Sequence, residues 1–298
     1  MPCYTPLTAY RTPHGSDSAI TFNANKALNR DNPLSLPCGR CTGCRLERSR
    51  QWAVRCMHEA QLHQNNCFIT LTFNKESLPT DYSVDVRHLQ LFYKRFRKSL
   101  PNTKIRYFAC GEYGEENLRP HYHSVVFNYD FPDKKFYKFT PQKNILYTSQ
   151  LLTNLWQQGH CTTAAVTFQS AAYTARYNME SINGEHADAY YTRQHPDNKT
   201  FNRVKPEFIV MSRRPGIGAT WLERFQSDVY PSDEVIVNGH ATKPPRFYDQ
   251  QLTEEELEKI KRRRAIVARP YRDDNTPARL RVREAVKRAQ IRSLKRIL

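Results

Sequence analysis

The spacing of apolar residues predicts alternating strands and helices through the middle of the chain. Short runs of β-branched and aromatic residues are typical of strands, and apolar residues at three- and four-residue steps are typical of helices. We therefore expect five strands: Cys67–Phe73, Ile105–Glu112, His121–Phe127, His160–Phe168 and Glu207–Ser212. We expect helices over 45–64, Val86–Leu100, Thr148–Gln158 and from a capping Ser170 to about Ser181, with a stop at Asn183-Gly184.

These elements favour the α+β fold class. Connections of hairpin length, such as Tyr113–Pro120, favour an antiparallel sheet of about five strands flanked by helices. Residues 1–44 contain five prolines and look irregular, and the polar segment 184–206 is expected to be a loop or insertion. We expect three parts: a cysteine-rich N-terminal lobe and helix (1–64), a central domain (65–250) and a basic helical C-terminal arm (251–298).

The charge of the chain points to a polyanionic partner. Lys and Arg number 46 against 29 Asp and Glu, and this net charge of +17 favours nucleic acid or an anionic membrane surface. Residues 261–298 alone carry +11, on a tail that a capping box at Thr253–Glu256 begins and that 277–298 can continue as a basic helix. No run approaches the roughly 20 apolar residues that cross a bilayer, and the first ten residues lack the apolar segment of a secretory signal. We therefore expect a soluble intracellular protein that meets nucleic acid.

A His-x-His triplet lies on the third predicted strand. Because strand side chains alternate, His121 and His123 face the same side and can share a metal ion. Glu112 ends the preceding strand, and a hairpin would bring its carboxylate beside the histidines. Two imidazoles and a carboxylate leave coordination positions open for substrate oxygens. Taken alone, a His-x-His is more often a pair of surface histidines.

Two tyrosines lie four residues apart on a predicted helix. Tyr173 and Tyr177 share one helix face, with Arg176 between them in sequence. A tyrosine phenolate can attack a phosphodiester and hold the strand as a phosphotyrosine, and a second tyrosine allows a second attack. In a chain with 17 Tyr, an aromatic pair that packs on the sheet explains the spacing equally well.

The cysteines near the N-terminus have the spacing of metal ligands. Cys38, Cys41 and Cys44 provide three thiolates, and tetrahedral zinc needs a fourth ligand, for which Cys3 is the best candidate. An iron–sulfur cluster fits less well because the usual fourth Cys before Pro is missing. A structural zinc that orders the N-terminal lobe is favoured over free thiols.

Several motifs together resemble a known family. Their order resembles that of the three motifs of HUH endonucleases, and more closely the replication initiation proteins of microviruses of the gokushovirus type. The similarity covers roughly residues 3–250. The motifs that carry it are Pro37–Glu47 with its cysteines, Phe68–Phe73, Gly111–Gly114, Arg119–His123, Tyr173–Tyr177 and Met211–Gly218.

The resemblance implies roles for the candidate residues. The central domain would be an HUH nicking domain with an HUH/RRM-like fold. Its metal ligands for Mg²⁺ or Mn²⁺ would be Glu112, His121 and His123, although Glu115 and Glu116 lie in the same hairpin. Its nucleophiles would be Tyr173 and Tyr177. Arg176 stands where some relatives have a Lys, and it could hold a phosphate but not act as a general acid.

The implied activity is DNA nicking and joining that initiates rolling-circle replication. A 5′-phosphotyrosine forms and a 3′-OH is freed to prime synthesis. The implied partners are single-stranded or extruded origin DNA and host replication proteins, in the cytoplasm of a bacterial host. Arg119, Arg176, Arg213 and Arg214 are expected to contact DNA. Backbone N–H groups of the 213–218 segment could bind a phosphate, or the segment is a turn with two solvated arginines.

Two other functions stay open at this point. A zinc-stapled basic protein that binds or packages DNA without catalysis explains the charge and the cysteines. A metal hydrolase that activates water explains the histidines and leaves the tyrosines in the core. A covalent protein–DNA adduct would separate the tyrosine enzyme from both.

Overall fold

The computed structural model of the protein describes residues 3–114, 117–177, 187–194 and 200–293, with Arg176 and Tyr177 described by their backbone only. These residues form two compact units, one of 3–48 and 258–293 and the other within Ser49–Leu257. In the ranges described, no helix has the length and apolar character needed to cross a membrane.

The described strands and helices follow one another along the whole chain. The strands are β1 Leu7–Arg11, β2 Ile20–Thr21, β3 Leu34–Leu36, β4 Asn66–Thr72, β5 Arg106–Tyr113, β6 Pro120–Phe127, β7 Lys135–Phe139, β8 Ile145–Thr148, β9 Cys161–Ala164, β10 Thr192–Gln194, β11 Phe201–Arg203, β12 Phe208–Met211, β13 Val235–Val237 and β14 His240–Thr242. The helices are α1 Thr42–Gln61, α2 Val86–Ser99, α3 Gln150–Trp156, α4 Phe168–Tyr177, α5 Ala187–Tyr191, α6 Ala219–Val229, α7 Arg246–Asp249, α8 Glu254–Ala268 and α9 Pro277–Ser293.

An antiparallel seven-stranded sheet organises the larger unit. Its strand order is β12-β5-β6-β4-β9-β8-β7, so the β5–β6 hairpin lies inside the sheet while β12 and β7 form its edges. The α+β class with an antiparallel sheet and flanking helices is confirmed. The sheet has seven strands rather than the expected five, because β7 and β8 were not predicted.

Helix α2 covers one face of this sheet. Asp85 caps its N-terminus by accepting a hydrogen bond from the backbone N–H of Arg87, and its apolar residues recur at three- and four-residue steps. Phe92 and Phe96 are fully buried, and they share a core with Trp156 of α3. Burial of such large rings supplies much of the free energy that holds helix to sheet, about 1.5–3 kcal/mol for each ring.

The opposite face is covered by α1 and α4. Small side chains, Ala53 of α1 with Ala171 and Ala175 of α4, are buried against Phe108 and Phe127 of the sheet. Small residues let a helix approach the sheet closely, so α4 lies near the strands that carry the predicted histidines. The helix is capped by Thr167 and not, as expected, by Ser170. Thr167 and Ser170 instead exchange backbone-to-side-chain hydrogen bonds of 2.9 and 3.0 Å.

Two segments that looked irregular contain regular structure. Within 1–44, β2, β1 and β3 form a three-stranded sheet. Within 184–206, the described residues form α5 and the β10–β11 pair, and Tyr191 is fully buried with its hydroxyl donating to Glu207 over 2.7 Å. The expected end of the tyrosine helix near Ser181 and its stop at Asn183-Gly184 lie outside the described residues.

The smaller unit combines the N-terminal sheet with the basic tail. Tyr4, Ile260 and Leu280 are its large buried apolar side chains among the residues described. The predicted capping box is confirmed, since Thr253 and Glu256 exchange hydrogen bonds at the start of α8. By sequence, segments 1–48 and 258–298 hold 21 Lys and Arg against 7 Asp and Glu. They therefore carry +14 of the net +17.

A buried histidine makes the larger unit sensitive to acid. His58 of α1 stacks on Trp221 at 3.5 Å between ring centroids, and its Nδ1 lies 2.8 Å from the Tyr248 hydroxyl. Burial lowers the pKa of His58 to about 4. In the unfolded chain the pKa of this histidine is about 6.5. Between that pH and about 4, the unfolded state binds a proton at His58 and the folded state does not, which favours unfolding. The effect of His58 on the free energy of unfolding is therefore absent above about pH 6.5, and it lowers that free energy as the pH falls toward about 4.

We expect His58→Gln to flatten this decline. Between pH 7.5 and pH 5 the wild type should lose about 2 kcal/mol through His58, and the variant should not lose it. Thermal unfolding of both proteins at the two pH values measures the difference. His240→Gln, which changes an exposed histidine, is the matched control and should behave as the wild type. Equal acid losses in His58→Gln and wild type would contradict the assignment.

Candidate active site

The β5–β6 hairpin brings the predicted metal ligands together. Glu112 pairs directly with His121 across the two strands, and Cys110 pairs with His123. Glu112 Oε1 lies 2.7 Å from His121 Nε2 and 3.1 Å from His123 Nε2. The three groups lie close enough together to hold one metal ion.

The hydrogen bonds behind the histidines aim one nitrogen of each at this point. His121 Nδ1 lies 3.1 Å from the carbonyl oxygen of Arg119, which can only accept, so Nδ1 carries the hydrogen. In neutral His121 the lone pair of Nε2 therefore faces the carboxylate of Glu112. His123 Nδ1 is held by the Thr70 hydroxyl at 2.9 Å, and its buried Nε2 lies 3.1 Å from Glu112 Oε1 in poor alignment for a hydrogen bond. A cation at this point would satisfy both nitrogens and the carboxylate, as metal sites require.

The pKa shifts of Glu112 and His123 favour the forms that bind a metal ion, whereas that of His121 favours its protonated form. Burial acts to raise the pKa of Glu112, but the charges and hydrogen bonds of His123 and His121 outweigh it and lower that pKa. Burial lowers the pKa of His123 more than Glu112 raises it. Burial also acts to lower the pKa of His121, but the hydrogen bond to Glu112 prevails and raises it. An ionised carboxylate and a neutral His123 are the forms that bind metals.

Helix α4 adds a tyrosine to the same cluster. The Tyr173 hydroxyl donates to Glu112 Oε1 over 3.1 Å, and its ring meets His123 edge-on with 5.1 Å between centroids. Thr174 and Ala175 are buried against the sheet, whereas Tyr173 is half-buried. Tyr173 is therefore brought to the predicted metal ligands. The side chains of Tyr177 and Arg176 lie outside the described residues, as do Glu115 and Glu116.

The predicted DNA-binding arginines are not all near this cluster. Arg119 directly precedes the His121 strand segment and donates to the carbonyl of Phe73 over 3.0 Å. Arg213 and Arg214 are exposed, and they follow β12 at the Arg106 end of β5, about 20 Å along the strand from Glu112.

The 213–218 segment is a turn, and one of its N–H groups is already bound to a buried carboxylate. Its Gly218 N–H donates to the buried carboxylate of Glu59 over 2.8 Å, and Glu59 also pairs with Arg106. This agrees with the interpretation of the segment as a turn with two solvated arginines. Arg213 and Arg214 lie apart from the Glu112 cluster.

One residue of the site was not predicted. Thr70 of β4 pairs with His123 across the sheet and orients its ring. The Thr70-Leu71-Thr72 alternation is a weak local signal for a polar side chain on the histidine face. Only the β4–β6 register shows that this side chain lies beside His123.

The cysteine cluster lies in the smaller unit. The sulfur atoms of Cys3, Cys38, Cys41 and Cys44 all lie within 4.8 Å of one another, and the four could hold a metal ion. Backbone N–H groups donate to these sulfurs: Cys38 to Cys3 at 3.2 Å, Cys41 to Cys38 at 3.3 Å and Tyr4 to Cys41 at 3.2 Å.

These hydrogen bonds favour a thiolate. Burial acts to raise the pKa of Cys38, but the Thr5 hydroxyl and the backbone N–H groups of Cys41 and Arg40 outweigh it and lower the pKa to about 6. A thiolate is the form that binds zinc. The four other cysteines are buried in the larger unit, as expected for small apolar residues: Cys56, Cys67, Cys110 and Cys161.

Comparison with known proteins identifies the family. The family of replication-associated proteins ORF2/G2P matches residues 66–181, the segment that contains the Glu112, His121, His123 and Tyr173 cluster. Replication-associated protein VP4 of Bdellovibrio phage phiMH2K is 30% identical over 87% of this chain and 79% of its own length. Replication-associated protein ORF2 of Spiroplasma virus 4 is 30% identical over 86% of this chain and 80% of its own. No solved structure matches.

A third relative shares less of its length. Replication-associated protein ORF4 of Chlamydia phage 1 is 25% identical over 73% of this chain and 53% of its own. The chain belongs to the family of phage replication-associated proteins. Within that family it is a replication initiator of the microvirus type.

Proposed function

We propose that the protein nicks and rejoins single-stranded DNA through a tyrosine and so initiates rolling-circle replication. The observation that carries the proposal is the convergence of the Tyr173 hydroxyl and both histidines on one oxygen of Glu112. A hydroxyl nucleophile beside a set of metal-binding groups is what phosphodiester transfer needs. The names of the relatives, replication-associated proteins, support the same role.

The chemistry assigns one task to each group. Mg²⁺ or Mn²⁺ bound by Glu112, His121 and His123 would polarise the scissile phosphate and offset charge in the transition state. The hydroxyl oxygen of Tyr173 or Tyr177 attacks phosphorus as its proton passes to solvent. The oxygen–phosphorus bond forms, the bond from phosphorus to the 3′ oxygen breaks, and that oxygen takes up a proton.

The products account for replication by a rolling circle. The 5′ end stays on the enzyme as a phosphotyrosine, and the free 3′-OH primes synthesis. After one circle, the second of the two tyrosines attacks the regenerated junction and the released 3′-OH closes the circle by attacking the first phosphotyrosine. Arg176 holds a phosphate in this scheme.

The substrate is single-stranded or extruded origin DNA, because a paired and stacked strand cannot place its phosphate against Tyr173. Residues 65–250 act as the nicking domain, in an HUH-like arrangement, and the basic arm 251–298 and Arg213 and Arg214 hold DNA without sequence preference. The enzyme acts in the cytoplasm of the bacterial host together with host replication proteins.

We further propose that Cys3, Cys38, Cys41 and Cys44 bind a structural Zn²⁺. Four sulfur ligands with N–H donors match closed zinc sites, which order the surrounding chain rather than do chemistry. The contact of Tyr173 with Glu112 favours the enzyme over a DNA-binding or packaging protein without catalysis, since neither binding nor packaging needs a hydroxyl there.

The nicking proposal predicts a covalent adduct. Purified protein mixed with labelled single-stranded origin DNA and Mn²⁺ should give a DNA–protein band on a denaturing gel, and EDTA should abolish it. Tyr173→Phe with Tyr177→Phe should remove the band, and His121→Ala should slow its formation at least about 100-fold. Tyr271→Phe, an exposed tyrosine of the smaller unit, is the matched control.

Two outcomes would overturn this proposal. Tight DNA binding without an adduct, across single strands that cover both strands of the genome, would leave the protein that only binds or packages DNA. Metal-dependent cutting without an adduct would instead favour a hydrolase that activates water.

The zinc proposal predicts metal content. Protein purified without added metal should contain about one zinc per chain by atomic emission, as closed four-cysteine sites do. Cys38→Ser and Cys41→Ser should lose most of it and make the N-terminal segment sensitive to protease. Cys161→Ala, which changes a buried cysteine of the larger unit, should keep its zinc. A wild type that contains no metal and binds none on titration would rule out the site.

A further inference from the structure

The β7–β8 hairpin exposes a cluster of aromatic side chains that have no role in the proposed nicking reaction. Phe136, Tyr137 and Phe139 of the edge strand β7 are 58%, 53% and 59% exposed. The rings of Phe136 and Phe139 lie 5.2 Å apart between centroids. Aromatic rings are usually buried, and a cluster of exposed ones marks a binding surface.

Lysines are interleaved with these rings. Residues 134–148 contain four Lys and no Asp or Glu. Lys138 Nζ lies 5.3 Å from the centre of the Tyr137 ring. In the part of the chain that the structure describes, no carboxylate lies within ion-pair distance of Lys135 or Lys138. The hairpin therefore offers positive charge that is available to an anionic partner.

The strand register sorts these side chains by face. Phe136 pairs with Tyr147 and Phe139 with Ile145, so the two phenylalanines share a face of the hairpin. Lys135 and Lys138 pair with Thr148 and Leu146 and lie on the other face, with a bulge between Phe136 and Lys138. A partner that bends around the edge strand meets aromatic rings on one side and cations on the other.

The charge favours single-stranded nucleic acid over a second copy of the chain. Lysines on an edge strand are a device against pairing with another sheet edge. A single strand of DNA has both complementary features, since its unpaired bases stack on aromatic rings and its phosphates attract lysines. A duplex keeps its bases stacked inside and offers only phosphates.

We propose that the β7–β8 hairpin is a platform for single-stranded DNA, on which Phe136 and Phe139 stack with bases and Lys135 and Lys138 contact phosphates. In the sheet, β7 lies four strands from β6, about 19 Å, so the platform holds nucleotides away from the scissile phosphate. Its role in guiding the nicked strand rests on the proposed function. The binding itself does not.

The test uses the full chain and a labelled oligo-dT, which has no secondary structure and no origin sequence. Fluorescence anisotropy should show that Phe136→Ala with Phe139→Ala weakens binding about tenfold or more, while binding to a duplex of random sequence is unchanged. Phe136→Trp with Phe139→Trp should retain the affinity for oligo-dT. Ile236→Ala, which shortens an equally exposed apolar side chain on the β13–β14 hairpin, is the matched control.

The lysines are tested by salt dependence. Lys135→Gln with Lys138→Gln should reduce the slope of log affinity against log salt by up to about 1.4 for the two phosphate contacts. Unchanged oligo-dT affinity in both double variants would overturn the platform. So would a wild-type dimer that Phe136→Ala with Phe139→Ala converts to a monomer without loss of oligo-dT affinity, since the surface would then join two copies. The adduct assay is independent, because a wild type without adduct fails the proposed function whatever oligo-dT binding shows.

Discussion

The register of the β5–β6 hairpin is the constraint on which the candidate site depends. A slip of one residue would turn every side chain of β6 to the other face and separate both histidines from Glu112. Tyr122, between the histidines, opposes such a slip. It is fully buried on the α2 side, where its hydroxyl accepts from the Asp85 N–H over 3.0 Å and lies 2.6 Å from His88 Nδ1. The lack of a side chain at Gly111 also supports this packing, because a Cβ there would lie only 2.8 Å from the Phe208 ring. The packing of the sheet face toward α2 thus fixes the positions of His121, His123 and Glu112 on the opposite face.

The second constraint is the close approach of α4 to the sheet. Ala171 and Ala175 occupy the helix face toward the strands, and larger side chains there would move Tyr173 away from Glu112. The 3.1 Å contact between the Tyr173 hydroxyl and Glu112 therefore depends on small residues that have no polar group themselves. The same contact places a phenol beside a carboxylate with a lowered pKa, a poor base. In the proposed reaction, a cation held by the histidines and Glu112 would therefore have to activate the phenol.

What the sequence could predict was local. Alternation put His121 and His123 on one face, and a short connection put Glu112 opposite them. Cys-x-x-Cys spacing identified three clustered cysteines, and the fourth, Cys3, was chosen for its place in the same N-terminal segment and for the family resemblance. Strand β7 was missed because an edge strand exposed on both faces lacks the apolar alternation of a half-buried one, and its neighbour β8 is only four residues long. Thr70 depends on pairing between strands 53 residues apart, and the distance of Arg213 from Glu112 depends on the β12–β5 register. Neither is encoded in a short window of sequence.

Most of the net positive charge and the residues of the candidate active site lie in different parts of the chain. Segments 1–48 and 258–298 carry +14, so residues 49–257, which contain Glu112, the histidines and Tyr173, carry only +3. In the proposed function, long-range attraction to DNA phosphates, which salt screens, would therefore come mainly from the cysteine-rich unit. The buried histidine–carboxylate cluster is screened much less, and its hydrogen bonds act at 3 Å or so regardless of net charge. In that scheme, higher salt would weaken the capture of DNA more than it would disturb the geometry of the site.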